Sequence, residues 1–305
     1  MMRVCGAIGV ALLASVLLFG CGSEEDVLCR GVVCGDGEGC WKGECIPEQC
    51  VGEIEFPTEE VEYIIRYHAD KRSGPITYDD VKDIEWLDLS YMGGFSDFGW
   101  LHCLSSLKRL YMGLYWLADI EFLRGMTQLE ILELGGNRIK DIEPIGELMN
   151  LRELDIGTNL IHDFSPLANL TGLVHLQAGG NDVRDLSPLY GLTQLEELGL
   201  GGMHLRDASF LSDFVNLRIL NVGYNEIEDI EWARGLENLE IVVLRVNDIT
   251  DVRPLAANFG IGEGDEVYLD YNDIDCEDHD QKWALNSMYW RGVKVYTDCT
   301  LDPGP

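Results

Sequence analysis

Residues 151–172 read LRELDIGTNLIHDFSPLANLTG, with apolar side chains at places 1, 4, 6, 11, 14, 17 and 20, Asn159 at place 9 and Asp163 at place 13. The same frame opens at Leu107, Leu129, Leu173, Leu195, Leu217 and Leu239, always in steps of 22 residues. Ile84 opens an earlier copy with one extra residue. A truncated last copy carries Val267, Leu269, Asn272 and Ile274 after three inserted residues, so nine copies span 84–275. A period of this length marks a stacked array. Places 4 and 6 alternate with outward places 3, 5 and 7, so each copy begins with a short strand buried on one face. A lone strand cannot bury that face; stacked copies make a parallel sheet with a continuous Leu/Ile core. The expected fold is an α/β solenoid: an arc whose concave wall is the parallel sheet.

The chain must turn after each strand, which leaves backbone donors and acceptors unpaired inside. An Asn amide satisfies both kinds, and Asn137, Asn159, Asn181, Asn225, Asn247 and Asn272 recur at place 9. Met92, Tyr115 and Met203 take that place in the other copies, where reshaped turns are expected. Pro144, Pro166, Pro188 and Pro254, with Trp100, Phe122, Phe210 and Trp232 at the equivalent place, suit tight helical turns on the convex side. The Asp at place 13 recurs from Asp119 to Asp251, which reads as local hydrogen bonding in those turns.

The pattern LxxLxLxxNxI identifies leucine-rich repeats, and the 22-residue form with D-[IL]-x-P-L in its second half resembles the internalin type. That resemblance implies a non-catalytic module that binds a macromolecule, foremost a protein, through the concave sheet. It also implies capped ends, as an open solenoid exposes core and strand edges. Residues 51–83 look like the helical N-terminal cap, with a helix starting near Thr58-Glu59-Glu60 and Val61, Ile64, Ile65 and His68 on one face. Residues 276–305 look like a C-terminal cap and tail, with Cys276 and Cys299 closing a disulfide around a short helix near 280–290.

The N-terminus carries an address. Arg3 precedes an apolar run from Ile8 to Phe19, too short to span a membrane. Leu18-Phe19-Gly20-Cys21 resembles the lipobox of bacterial lipoproteins, which implies that 1–20 is a signal peptide and Cys21 the lipid attachment site. Gly22, not Asp, follows; the resemblance then favours the outer membrane of a Gram-negative envelope. Residues 21–50 would hold anchor, tether and a Cys-rich knot.

Eight cysteines remain beyond Cys5 and Cys21, an even number that in an exported chain reads as disulfides. Cys29, Cys34, Cys40 and Cys45 lie in a Gly-rich stretch too short to bury a core, so cross-links must hold it, in a connectivity the spacing leaves open. Zinc is the alternative, but it favours C-x2-C knuckles. Cys50 and Cys103 pair by parity, helped by the closeness of cap and first repeat.

With 54 Asp+Glu against 22 Lys+Arg, the formal charge of −32 excludes a nucleic-acid interface built on clustered cations. Loss of the leader removes Arg3 and leaves 21 Lys+Arg against 54 Asp+Glu, or −33. No P-loop, G-x-S-x-G, HExxH or strand-to-helix GxGxxG occurs, and the six His are dispersed, so neither an enzyme nor a cofactor or metal is expected. Outward places on the concave wall supply the candidate binding surface. Glu133, Glu153, Asp155 and Glu197 form an acidic centre with His175 and Gln177 among them. Trp86, Tyr91 and Tyr111 flank it on one side, Tyr224 and Tyr268 on the other, while glycines at places 7 and 8 keep the wall low. Such a surface suits a basic protein ligand. The rival expectation is a structural envelope or adhesin component without one specific partner.

Overall fold

The computed structural model describes residues 34–35, 38–42, 44–302 and 304; the leader, Cys21 and Cys29 lie outside them. A hairpin of β1 (Glu38–Trp41) and β2 (Glu44–Pro47) comes first, closed by the Cys34–Cys45 disulfide. Cys40 is also disulfide-bonded. Buried Trp41 donates its indole N–H to Asp79 at 3.1 Å, and the Lys42 ammonium reaches the same carboxylate. These contacts, with the Lys42 hydrogen bond foremost, hold the Asp79 carboxyl down at about 2.

Helix α1 (Glu59–His68) starts because Thr58 Oγ1 accepts from Val61 N–H, and it buries Val61 and Ile65 against the first repeat. Helix α2 (Tyr78–Val81) follows, with Thr77 N–H and hydroxyl both donating to Asp80. Cys50–Cys103 ties the segment before α1 to the first convex turn. Among the described residues, no helix is long and apolar enough to cross a membrane.

The sheet runs in strict chain order through β3 (Trp86–Asp88), β4 (Arg109–Tyr111), β5 (Ile131–Glu133), β6 (Glu153–Asp155), β7 (His175–Gln177), β8 (Glu197–Gly199), β9 (Ile219–Asn221), β10 (Ile241–Val243), β11 (Glu266–Tyr268) and β12 (Lys294–Tyr296). All neighbours are parallel, and Leu87, Leu110, Leu132, Leu154, Leu176, Leu198, Leu220, Val242, Val267 and Val295 stand side by side across it. The nine repeats supply nine strands. The tenth comes from the chain beyond them: after helix α4 (His279–Trp290), residues 294–296 return to pair with β11, and Cys276–Cys299 closes the excursion. That strand lacks a repeat frame of its own, so repeat counting stops one strand short of the sheet.

Convex turns are short 3-10 segments such as Ser165–Asn169, and only the slot before the insertion forms an α-turn, α3 (Arg253–Ala257). Each is started by the place-13 Asp, whose Oδ1 accepts from the N–H two residues on; Asp119, Asp141, Asp163, Asp185, Asp207, Asp229 and Asp251 all do so. Where Trp replaces Pro, its indole N–H donates back to the carbonyl of Asp97 or Asp229, at 3.2 Å in both cases.

The Asn ladder forms as expected. Asn159 Nδ2 donates to Leu134 O and Ile156 O, and its Oδ1 accepts from Ile139 N–H. Place 8 adopts a left-handed backbone in every copy: Tyr91, Leu114, Gly136, Thr158, Gly180, Gly202, Tyr224, Val246 and Tyr271 all have φ between 54° and 71°. Two of the three copies without the Asn also turn left-handed at place 10, at Trp116 and His204. The missing amide is thus accommodated by the backbone itself.

Candidate functional site

The place-7 residues of six successive copies are glycines: Gly113, Gly135, Gly157, Gly179, Gly201 and Gly223. The first five, with Ser90 at place 7 of the copy before them, floor a trough of about 810 Å³ on the concave wall. One bank is the place-5 column, where Asp88, Glu133, Asp155, Gln177 and Asn221 line the trough. The other is the left-handed place-8 column with Tyr91, Leu114, Thr158 and Tyr224. At Gly179 the floor has no room for a side chain, since a Cβ would lie 2.6 Å from the Gly201 carbonyl oxygen.

Asp155 is the most enclosed of these acids. Its Oδ1 accepts from Gly157 N–H at 2.8 Å, yet burial outweighs that bond and raises its pKa. Burial also raises Glu133, and Asp155, Asp88 and Glu153 add repulsion. Tyr111 is raised by burial first and then by Glu133. The trough therefore carries negative charge that it does not itself neutralise.

The expected site residues divide into three groups. Tyr91, Glu133, Asp155 and Tyr224 line the trough together. Glu153, His175 and Glu197 stand in register one column away, at place 3, with His175 Nδ1 3.8 Å from Glu153 Oε1. Gln177 bridges the columns, donating to Glu197 at 2.8 Å. Trp86 and Tyr111 border a separate depression of about 290 Å³ with Asp88 and Arg109, and His68 meets the Trp86 ring edge-on at 4.6 Å. Tyr268 is remote from the trough and internally engaged. It stacks on Tyr296 at 4.3 Å, lies under the Arg245 guanidinium and donates to Glu266, which pushes its pKa up to about 12.

Residues outside the expected set also build the site. Asp88 and Asn221 continue the place-5 bank, and each accepts from the N–H two residues on, as Asp155 does. Leu114 rises at the rim, 49% exposed, while Trp116, 68% exposed, borders a separate depression with Phe95 and Phe122 and has Arg138 stacked 4.2 Å over its ring. The repeat frame contained Asp88, Leu114 and Asn221. Trp116 sits on the left-handed place-10 turn of the Tyr115 copy, one of those in which the Asn slot gave reason to expect a reshaped turn.

A family model described as "Leucine Rich repeats (2 copies)" matches residues 127–169. Among solved structures, internalin C2 of Listeria monocytogenes is 29% identical, with a TM-score of 0.62 over 72% of this chain and 92% of that one. Internalin F of the same organism is 21% identical, with a TM-score of 0.59 over 81% and 91%. A leucine-rich-repeat protein of Leptospira interrogans is 18% identical, with a TM-score of 0.59 over 74% of this chain and 62% of that one. No curated protein matches the chain. The chain is a leucine-rich-repeat solenoid. Its repeats are of the internalin type.

Proposed function

We propose that the protein is a non-catalytic binding module, anchored to the outer membrane through a lipid on Cys21, that holds a basic protein ligand on its concave face. The observation that carries this reading is the trough: an open floor of glycines with Glu133 and Asp155 on one bank and exposed Tyr91 and Tyr224 on the other. Carboxylates enclosed by their own neighbours gain most from an incoming cation, and exposed aromatics offer area that a partner can desolvate. Leucine-rich-repeat domains generally mediate protein–protein binding, which agrees with this use of the face. A lipid-borne N-terminus would present the arc to partners in the periplasm or outside the cell.

The test is crosslinking on intact cells, followed by charge reversal. Glu133→Lys with Glu153→Lys should abolish capture of the partner while the circular dichroism spectrum stays native. Asp213→Lys with Glu237→Lys, in and after convex turns, removes as much negative charge and should leave capture intact. Equal loss from both pairs would assign the effect to bulk charge, and no loss from either would take the site off the concave wall. For the anchor, Cys21→Ser should release the protein from membranes or stall its processing; normal membrane fractionation of that variant would refute lipidation.

A further inference from the structure

Building on the binding reading, we infer that the trough receives one linear, basic peptide segment laid across the strands, with its carbonyls on the glycine floor and its Lys or Arg side chains toward Asp155 and Glu133. Backbone pairing points to it. In this sheet each odd-place N–H pairs with the carbonyl one place earlier on the preceding strand, as Arg109 N–H does with Glu85 O, while even-place N–H groups turn to the following strand, as Met112 N–H does to Glu133 O. Continued to place 7, that rule would give Gly135 N–H to Met112 O and Gly179 N–H to Ile156 O. The Asn ladder already occupies those carbonyls: Asn137 donates to Met112 O, and Asn159 and Asn181 to Ile156 O. The ladder that closes the turn therefore opens the sheet at place 7.

Where place 5 is Asp or Asn, its side chain takes up the freed donor: Asp155 accepts from Gly157 N–H and Asn221 from Gly223 N–H. Those bonds also show that the place-7 N–H groups are reachable from the concave side. At Gly113, Gly135, Gly179 and Gly201 place 5 is Tyr, Glu, Gln and Gly, and among the described residues these four N–H groups have no protein partner. The trough thus offers a row of backbone donors beside carboxylates. A ligand that satisfies both needs a row of acceptors and cationic side chains, which an extended basic peptide provides. A folded surface presents few free carbonyls, since its own secondary structure uses them.

Size agrees. The place-7 floor from Ser90 to Gly201 crosses six strands, and at a spacing of about 4.8 Å it spans roughly 24 Å, the length of about seven extended residues. Along that length the floor carries no side chain of its own beyond Ser90, and Leu114 with Tyr91 and Tyr224 forms a wall against which apolar residues between the cations can lie.

The probe is a fluorescein-labelled, end-blocked heptapeptide of alternating Lys and Ala, with a Glu-for-Lys version as control. The Lys peptide should bind by anisotropy, and nitrogen-15 NMR should show downfield amide-proton shifts at Gly113, Gly135, Gly179 and Gly201. Gly113→Val should weaken binding by about tenfold or more, because its side chain fills the floor where the Cβ meets nothing closer than Gly135 O at 3.5 Å. If that variant unfolds, Gly113→Ala replaces it. Glu133→Gln with Asp155→Asn should weaken binding independently. No binding at millimolar peptide overturns the inference, as does binding that leaves all four glycine amides unshifted. A cellular partner lost on Glu133→Lys with Glu153→Lys, yet indifferent to Gly113→Val and to saturating heptapeptide, would mean that the face takes a folded surface. That result would end the peptide inference and leave the binding reading standing.

Discussion

Asn159→Ala should destabilise the solenoid by about 3–4 kcal/mol, far beyond what loss of one side chain contact would cost. Asn159 is 6% exposed. Its Nδ2 lies 3.0 Å from both Leu134 O and Ile156 O and 3.2 Å from Gly157 O, and its Oδ1 is 3.0 Å from Ile139 N. Removing the amide orphans Ile139 N–H outright, whereas Leu134 O keeps Asn137 and Ile156 O keeps Asn181. Each orphaned or half-served buried group costs about 1–3 kcal/mol, less where water enters. One full loss plus two partial ones and a small cavity gives the stated sum. Asn272, the ladder's last rung and only part-buried, should lose about half as much on the same change. Urea unfolding followed by circular dichroism and tryptophan fluorescence measures both. A loss below about 1 kcal/mol at Asn159 would mean that its repeat relaxes into the left-handed place-10 turn seen at His204, and the ladder argument would fail.

Gly202 and Gly179 should separate two roles of glycine. Gly202 has φ +68° and a Cβ there would meet only Gly180 N at 4.0 Å, so Gly202→Ala should cost about 1 kcal/mol through backbone conformation alone. Gly179→Ala, clashing with Gly201 backbone, should cost more; equal costs in denaturant titrations would contradict the packing argument. Removing Cys276–Cys299, which closes a 23-residue separation, should cost about 3 kcal/mol by loop entropy and speed amide exchange in β12. Asp155→Asn should raise stability at neutral pH. Burial raises the native Asp155 pKa above its ordinary 3.8, so native stability from this group is intact below 3.8 and falls as pH rises through the native value. Asn keeps the acceptor for Gly157 N–H without the charge, so the gain should vanish in acid; a gain that persists below 3.8 would refute the linkage.

The solenoid was legible because burial follows the 22-residue frame almost without exception: Leu151, Leu154, Ile156, Ile161, Phe164, Leu167 and Leu170 are all buried. The ladder and the Asp-initiated turns were legible because each is a short-range rule of one residue type. What escaped were properties that arise between copies. The tenth strand escaped because Lys294–Tyr296 carries no frame and owes its place to the chain reversal after α4. The left-handed place 8 escaped because only Gly136, Gly180 and Gly202 advertise it, while Val246 and Thr158 adopt it against their own preference. At the candidate site, the frame placed every outward residue on the right wall. It could not separate Tyr224, which stands open at the trough, from Tyr268, engaged by Tyr296 and Glu266.

Both ends of the arc are closed by added parts: α1 and Cys50–Cys103 at one end, and at the other β12, Cys276–Cys299 and α4, whose Gln281 accepts from Val252 N–H in the next-to-last copy. Between them every copy hands its neighbour a strand edge and a convex turn, and six of the nine add an Asn amide reaching back. The middle is therefore a ruler whose graduations can be added or removed without disturbing its ends. Duplicating residues 151–172 would lengthen the trough by one strand spacing, about 4.8 Å, and leave every remaining contact a copy of one that already exists. Reach along the concave wall is set by arithmetic on the repeat number, so the protein can change the length of what it holds without redesigning how it holds it.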